Sequence, residues 1–223
     1  MKDQTAKSQQ ISQSTFVFTK ENKVKAEHNI AKYPQGRQAS AVLPVLDLAQ
    51  RQSGGWLPQA AIEAVADLLS MPVIRVFEVA SFYTMFNLKP VGKYHLQLCG
   101  TTPCWLRGAG KLKERCETLL GIKEGEVTPD GTFSLIEVEC LGACVNAPMV
   151  QINDDFYEDL TPDLFEKVLD DLANGRDCHS GSQIGRQASA PQGYGQEMTA
   201  KNAPAKTKPA VKQKQTKGDS DAR

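Results

Sequence analysis

Two periods of apolar spacing divide this chain. From Phe16 to about Leu88, large apolar residues recur at steps of three and four, as in helices with one buried face. Ser40 is placed to cap a helix running to about Gln52, with Leu43, Leu46 and Ala49 on one side. Pro44 falls in its first turn, where a missing N–H costs least. Ser53-Gly54-Gly55 breaks that helix. Pro58 suits the first position of the next, whose Ile62, Val65, Leu68 and Leu69 share a face. Met71-Pro72 restarts the chain, and Val73, Val76, Phe77, Ala80 and Tyr83 or Thr84 make a further stripe. The prediction is a small helical bundle over residues 16–88, closed by Asn87-Leu88-Lys89-Pro90-Val91-Gly92.

After Gly92 the period shortens to two. Tyr94, Leu96 and Leu98 alternate with His95 and Gln97, which predicts a strand ending at Cys99. Cys104 opens a helix carrying Trp105, Ala109, Leu112, Cys116 and Leu119, closed by Gly121. Thr128-Pro129-Asp130-Gly131 is turn chemistry. A second strand covers Phe133 to Val138 and ends near Cys140. A short third covers Met149 to Ile152, and Asn153-Asp154-Asp155 turns it into a fourth around Phe156-Tyr157. Thr161-Pro162 caps a helix with Leu164, Phe165, Val168, Leu169 and Leu172 inward, stopped by Asn174-Gly175. Strand, helix, strands and helix form a compact unit of thioredoxin-like size over residues 89–178, so the whole chain reads as α+β.

Composition adds the ends. Residues 1–15 are polar and read as a disordered arm; residues 179–223, rich in Lys, Gln, Ala and Pro, cannot bury enough surface to offset ordering and read as a disordered tail. Formal charge is zero, from 26 basic and 26 acidic side chains, which argues against a nucleic-acid binder. The zero is uneven, because residues 181–223 hold eight basic and three acidic groups, leaving the rest of the chain negative. No apolar run approaches a membrane span, and the N-terminus lacks the apolar core of a secretory signal. Six cysteines without an export signal point to metal ligands or buried thiols rather than disulfides.

Four of those cysteines fall in two pairs, Cys99-x4-Cys104 and Cys140-x3-Cys144, and each pair begins where a strand is predicted to end. Two strand ends on one edge of a sheet put the following loops side by side, so four thiolates can enclose one metal centre. A four-cysteine zinc site tolerates such spacings, the first at its upper limit. A [2Fe–2S] cluster also takes four cysteines and suits wider spacings, and this unit has a core that needs no zinc staple. Disulfide exchange of the thioredoxin kind needs Cys-x-x-Cys, which is absent. Spacing favours the two-iron cluster and leaves zinc, disulfides or unrelated thiols open. Gly100, Thr101, Leu141 and Gly142 are the candidate N–H donors to sulfur.

A resemblance narrows the choice. Asp130-x2-Phe133-Ser134-x5-Cys140-Leu141-Gly142-x-Cys144-x2-Ala147-Pro148 resembles the signature of the small thioredoxin-like [2Fe–2S] component of respiratory complex I, the E subunit of bacterial NADH:quinone oxidoreductase. Residues 75–86 and the block from Gly92 to Cys104 are similar to two further segments of that family, and the likeness spans roughly residues 16–175. It implies one [2Fe–2S] cluster on Cys99, Cys104, Cys140 and Cys144. It implies electron exchange with FMN on a partner flavoprotein subunit that binds NADH, beside a neighbouring iron–sulfur subunit. The implied location is peripheral, on the cytoplasmic side of the bacterial inner membrane. The chain itself has no G-x-G-x-x-G and no Walker loop, so NADH and FMN are expected on the partner. A related subunit of an NAD-linked hydrogenase or formate dehydrogenase, and a zinc-stapled scaffold, remain the alternatives.

The other candidates read mostly as structure. Cys116 lies on an apolar stripe and is expected buried; Cys178-His179 has no partner pair and is expected uninvolved. His95 opposes the apolar face of its strand and is expected exposed or at an edge, and His28 solvated. Gly108-Ala109-Gly110 is read as structural within a continuous helix. Trp105 either shields the metal centre or packs in the core. Phe82, Tyr83 and Phe86 are divided between core and partner interface. The tail lysines are read as a solvated extension, or as a loose hold on an acidic partner or anionic lipid.

Overall fold

A computed structural model of the protein describes residues 15–191. It is α+β. Helix α1 (Lys20–Ile30) is capped by Thr19, whose hydroxyl accepts from Asn22 N–H, and buries only Ala26. A 3-10 turn (Gln38–Ala41) leads into α2 (Val42–Gln52), so Ser40 lies inside that turn and does not cap α2. Pro44 stands third in α2, where no intrahelical partner exists for an N–H. Helices α3 (Gln59–Leu69) and α4 (Val73–Phe82) follow, entered through Pro58 and Pro72. Val42, Val45, Leu46 and Ala49 of α2 meet Ile62, Val65 and Leu69 of α3 and Val76 and Ala80 of α4 in one hydrophobic core.

A second core belongs to the sheet. Strands β1 (Tyr94–Cys99), β2 (Phe133–Val138), β3 (Val150–Ile152), β4 (Asp155–Glu158) and β5 (Gly181–Ser182) lie in the order β2-β1-β3-β4-β5. β1 runs parallel to β2 and antiparallel to β3, and β4 runs antiparallel to β3 and parallel to β5. Leu96, Leu98, Leu135, Val150 and Ile152 point to one face, where they pack on Leu112 and Cys116 of α6 (Ala109–Leu120) and Phe165, Val168 and Leu169 of α7 (Pro162–Ala173). Thr161 caps α7 by accepting from Leu164 N–H, with Pro162 at the first position, as its sequence predicts.

Three expectations change. The helix predicted to run on from Cys104 is two helices: α5 (Thr102–Leu106) stops at Gly108, whose φ of 101° is left-handed, and α6 restarts at Ala109. Trp105 carries the apolar spacing across this break, yet its side chain is 66% exposed. The tail read as structureless from residue 179 begins with order, since Gly181 and Ser182 extend the sheet beside Tyr157 and Glu158. Ile184 ends one compact unit, and the described residues 185–191 belong to a second. The rest of the predicted tail, and residues 1–14 of the predicted arm, lie outside the described residues. Finally, His95 sits on an interior strand and is partly buried rather than at an edge, its Nδ1 2.8 Å from Ser134 Oγ.

The bundle joins the sheet through named contacts. Arg51 of α2 pairs with Asp47 and makes a bidentate link to Asp154 at 2.7 and 3.0 Å. Gly92 leads into β1 against the backbone of Phe133, where an added Cβ would lie 2.5 Å from a carbonyl carbon, so only glycine passes.

Candidate metal centre

Parallel pairing of β1 and β2 sets Cys99 opposite Val138, so the loops after both strands leave the same sheet edge. The first loop is short: Gly100 and Thr101 turn the chain into α5, which places Cys104 one helical turn in. The second runs from Cys140 through Gly142, at φ 88°, to a 3-10 turn over Cys144–Asn146. Its far side is tied down by three hydrogen bonds. Asn146 Nδ2 donates to Glu158 at 2.5 Å, Asp159 N–H to Asn146 O at 2.7 Å, and Leu160 N–H to Pro148 O at 3.0 Å.

All six cysteines are free thiols. Cys140 and Cys144 Sγ lie 3.4 Å apart. Cys99 and Cys104 each act on the other's thiol, and the second pair feels the charge of the first across the loops. Among the described residues, no group of three or more His, Cys, Asp or Glu side chains is gathered closely enough to hold a metal ion. The four thiols stand as two pairs, and a [2Fe–2S] cluster takes two thiolates on each iron.

Backbone and hydroxyl donors converge on the sulfurs. For Cys99, burial acts to raise the thiol, but the Thr101 hydroxyl and the N–H groups of Thr101 and Leu141, with help from Cys104, outweigh it and bring it below its ordinary value. Burial and the neighbouring Cys99 push Cys104 up to about 12, against the Met149 N–H. The Gly142 N–H, then the Cys144 thiol and the Thr101 hydroxyl, lower Cys140, and hydrogen bonding to Cys140 raises Cys144. Within each pair, one sulfur is thus held lower and its partner higher than an ordinary thiol. A cationic metal core would displace the thiol protons. Thiolate donors in two pairs, ringed by N–H groups, fit an iron–sulfur cluster.

Of the donors expected from sequence, Thr101, Leu141 and Gly142 point N–H groups at sulfur, while Gly100 N–H bonds Val138 O instead. Sequence reasoning misses the Met149 N–H and the Thr101 side chain. No sequence signal marks Met149, whereas a threonine between paired cysteines is a signal that could be read. Cys116 is fully buried with its thiol pushed up to about 12 by burial. Cys178 is half-buried against the sheet core and donates to Val168 O at 3.6 Å, away from the four-thiol cluster. Trp105 does not join the core; with Leu106 and Val145 it lies exposed beside the two loops. Phe86 is core, but Phe82 and Tyr83 are exposed, as are Val73, Ile74, Phe77 and Met85. A cleft of about 670 Å³ reaches from Thr84, in that apolar segment, past His95 and Gln97 to Gly100 and Thr101.

Residues 26–173 match the family model for the thioredoxin-like [2Fe–2S] ferredoxin. The chain is 63% identical over 161 residues to the E subunit of NADH-quinone oxidoreductase from Rickettsia bellii (strain RML369-C), covering 72% of this chain and 96% of that protein. It is 52% identical over 179 residues to the mitochondrial NADH dehydrogenase [ubiquinone] flavoprotein 2 of Dictyostelium discoideum, covering 80% and 72%. The crystal structure of an NAD+-reducing [NiFe]-hydrogenase in the H2-reduced state shares the fold with a TM-score of 0.53 at 21% identity, over 60% of this chain and 23% of that one.

Proposed function

Because the chain belongs to the thioredoxin-like [2Fe–2S] ferredoxin family, with the E subunits of NADH-quinone oxidoreductases, we propose that Cys99, Cys104, Cys140 and Cys144 hold one [2Fe–2S] cluster. On this reading the chain is the electron-transfer subunit of an NADH:quinone oxidoreductase and exchanges single electrons with FMN on a partner NADH-binding subunit. One observation carries it: four free thiols, paired two and two, follow the ends of neighbouring parallel strands, with N–H groups acting on their sulfurs.

When bound, the cluster supplies one-electron chemistry without bond-making on this chain. The protein's part is to hold and bias it. Four thiolates around two ferric ions and two sulfides leave a formal charge of about −2, and an added electron makes it more negative. Thr101, Leu141, Gly142 and Met149 N–H groups offset that charge at the sulfurs. Exposure of Cys140 and Cys144 gives the electron a short path to a docked partner. The exposed apolar residues of α4 and the segment after it, Phe77, Phe82, Tyr83 and Met85, supply docking surface for the flavoprotein. A neighbouring iron–sulfur subunit completes the assembly. No helix among the described residues is long and apolar enough to cross a membrane. On this reading the chain sits peripherally with its complex, on the cytoplasmic side of a bacterial inner membrane.

The fold shared with an NAD+-reducing hydrogenase supports a second reading, the equivalent subunit of such an enzyme. Metal and acid-labile sulfide analysis of anaerobically purified protein tests the cluster. About two irons and two sulfides per chain are expected, and zinc without sulfide overturns the reading. Affinity capture from the native host, with the co-purifying subunits identified, separates the two enzymes: a quinone-reducing complex or a hydrogenase.

A further inference from the structure

Among the described residues, three threonines stand at helix N-caps. Thr19 and Thr161 behave as such residues do, each accepting at 3.2 Å from the N–H three positions on. Thr101, at the start of α5, makes no such bond. Its hydroxyl lies 3.3 Å from Cys99 Sγ instead. Its own N–H also acts on that sulfur. The helix forgoes a cap at this end, a contact worth about 1 kcal/mol elsewhere.

Resting on the cluster assignment above, we propose that Thr101 is a positioning residue of the redox centre whose hydroxyl, donated to the Cys99 sulfur, raises the cluster's reduction potential. Reduction adds negative charge to that sulfur, so the hydrogen bond strengthens in the reduced state and favours it. Glycine or alanine at this position would leave the loop path open and the sulfur without the donor. Valine keeps the shape of threonine and removes only the hydrogen bond.

The test is a redox titration of the full-length, cluster-loaded protein followed by electron paramagnetic resonance, comparing wild type, Thr101→Ser and Thr101→Val. Thr101→Val is expected to titrate at a lower potential. At a fixed poise near the wild-type midpoint, its ratio of reduced to oxidised cluster should fall about tenfold, the worth of one charge-assisted hydrogen bond. Thr101→Ser should stay near wild type. A loaded Thr101→Val with wild-type potential overturns the proposal, as does a Thr101→Ser that matches Thr101→Val. If Thr101→Val loads no cluster, loading itself becomes the readout. Thr101→Ser that loads with wild-type potential then supports the hydroxyl's role, and one that also fails to load, or loads at a shifted potential, overturns it. Wild-type protein that binds no iron or sulfide would fail the cluster reading instead, so the two failures are distinct.

Discussion

The first thiol loop leaves an interior strand of the sheet and the second leaves an outer one, and their burial follows that difference. Cys99 ends β1, flanked by β2 and β3, and is 2% exposed; Cys104, carried back by α5, is 1% exposed. Cys140 and Cys144 follow β2, which has one strand neighbour and, on its other side, only an isolated bridge from Val127 to Ser134, and both are exposed. The first pair is placed by the packed core. The second is placed by local ties: the Gly142 N–H, the Asn146–Glu158 bond and Arg107 reaching Ala147 O at 3.4 Å. One half of the centre is thus as rigid as the fold, and the other half as rigid as its loop.

The comparison is broken most severely at the thiols themselves. Cys104→Ser and Cys140→Ser are both expected to lose the native cluster, read as iron and sulfide content and visible absorbance. They should differ without it. A hydroxyl at the buried Cys104 position is more costly to desolvate than the thiol and fills less of its space, so it should cost the unloaded protein about 1–3 kcal/mol. The exposed Cys140 position should cost within about 0.5 kcal/mol. Equal losses in denaturant unfolding of the two unloaded variants would mean that both loops depend alike on the core.

Next in size is packing beside each loop. Leu98, one residue before Cys99, is 1% exposed, and Leu98→Ala should cost about 2–5 kcal/mol. Val145, one residue after Cys144, is 65% exposed, and Val145→Ala should stay within about 0.5 kcal/mol. Thermal or denaturant unfolding of the two variants gives the contrast directly.

This asymmetry is half legible in the sequence. Alternation around Leu96 and Leu98 marks β1, and the period of Ile62, Val65 and Leu69 marks α3, because each has one buried face. The two cysteine pairs at strand ends mark the site. Strand order is not written locally, so nothing near Cys99 or Cys140 says which strand is interior. The break at Gly108 is hidden because Trp105 continues an apolar spacing while facing solvent. β5 is two residues long, Gly181 and Ser182, with no side-chain pattern to betray it. Likewise Phe82 and Phe86 look alike in sequence, and only tertiary packing sends one outward and the other into the bundle core.

A smaller effect is expected from the bond between the two strands that carry the loops. Ser134 Oγ accepts from Gly92 N–H at 3.0 Å and lies 2.8 Å from His95 Nδ1. Burial lowers His95 to about 4. The unfolded chain titrates near 6.5, so between these values it binds the extra proton and stability falls as pH drops from about 6.5 toward 4. The contribution is at most about 3 kcal/mol. His95→Gln should flatten this part of the profile, measured as unfolding midpoints from pH 7 to 4. A variant with the wild-type slope would remove His95 from the account.

The smallest effect sharpens how the loops are tied. Lys113 of α6 bonds Glu124 at 2.6 Å and Glu137 of β2 at 2.7 Å. The Glu137 carboxylate lies where a Cβ on Gly100 would be, 2.1 Å from its Oε1. The first loop therefore leaves out a side chain in the space that the second strand's ion pair fills. Gly100→Ala must swing Glu137 aside, a cheap motion for a long side chain, and so loosen its bond to Lys113. Lys113→Met removes the same bond from the other end. Each change should cost no more than about 1 kcal/mol, because Glu137 is partly solvent-exposed. Since both remove one interaction, the double variant should lose less than the sum of the singles. Full additivity in a denaturant cycle would mean that Gly100 and the ion pair stabilise their loops independently.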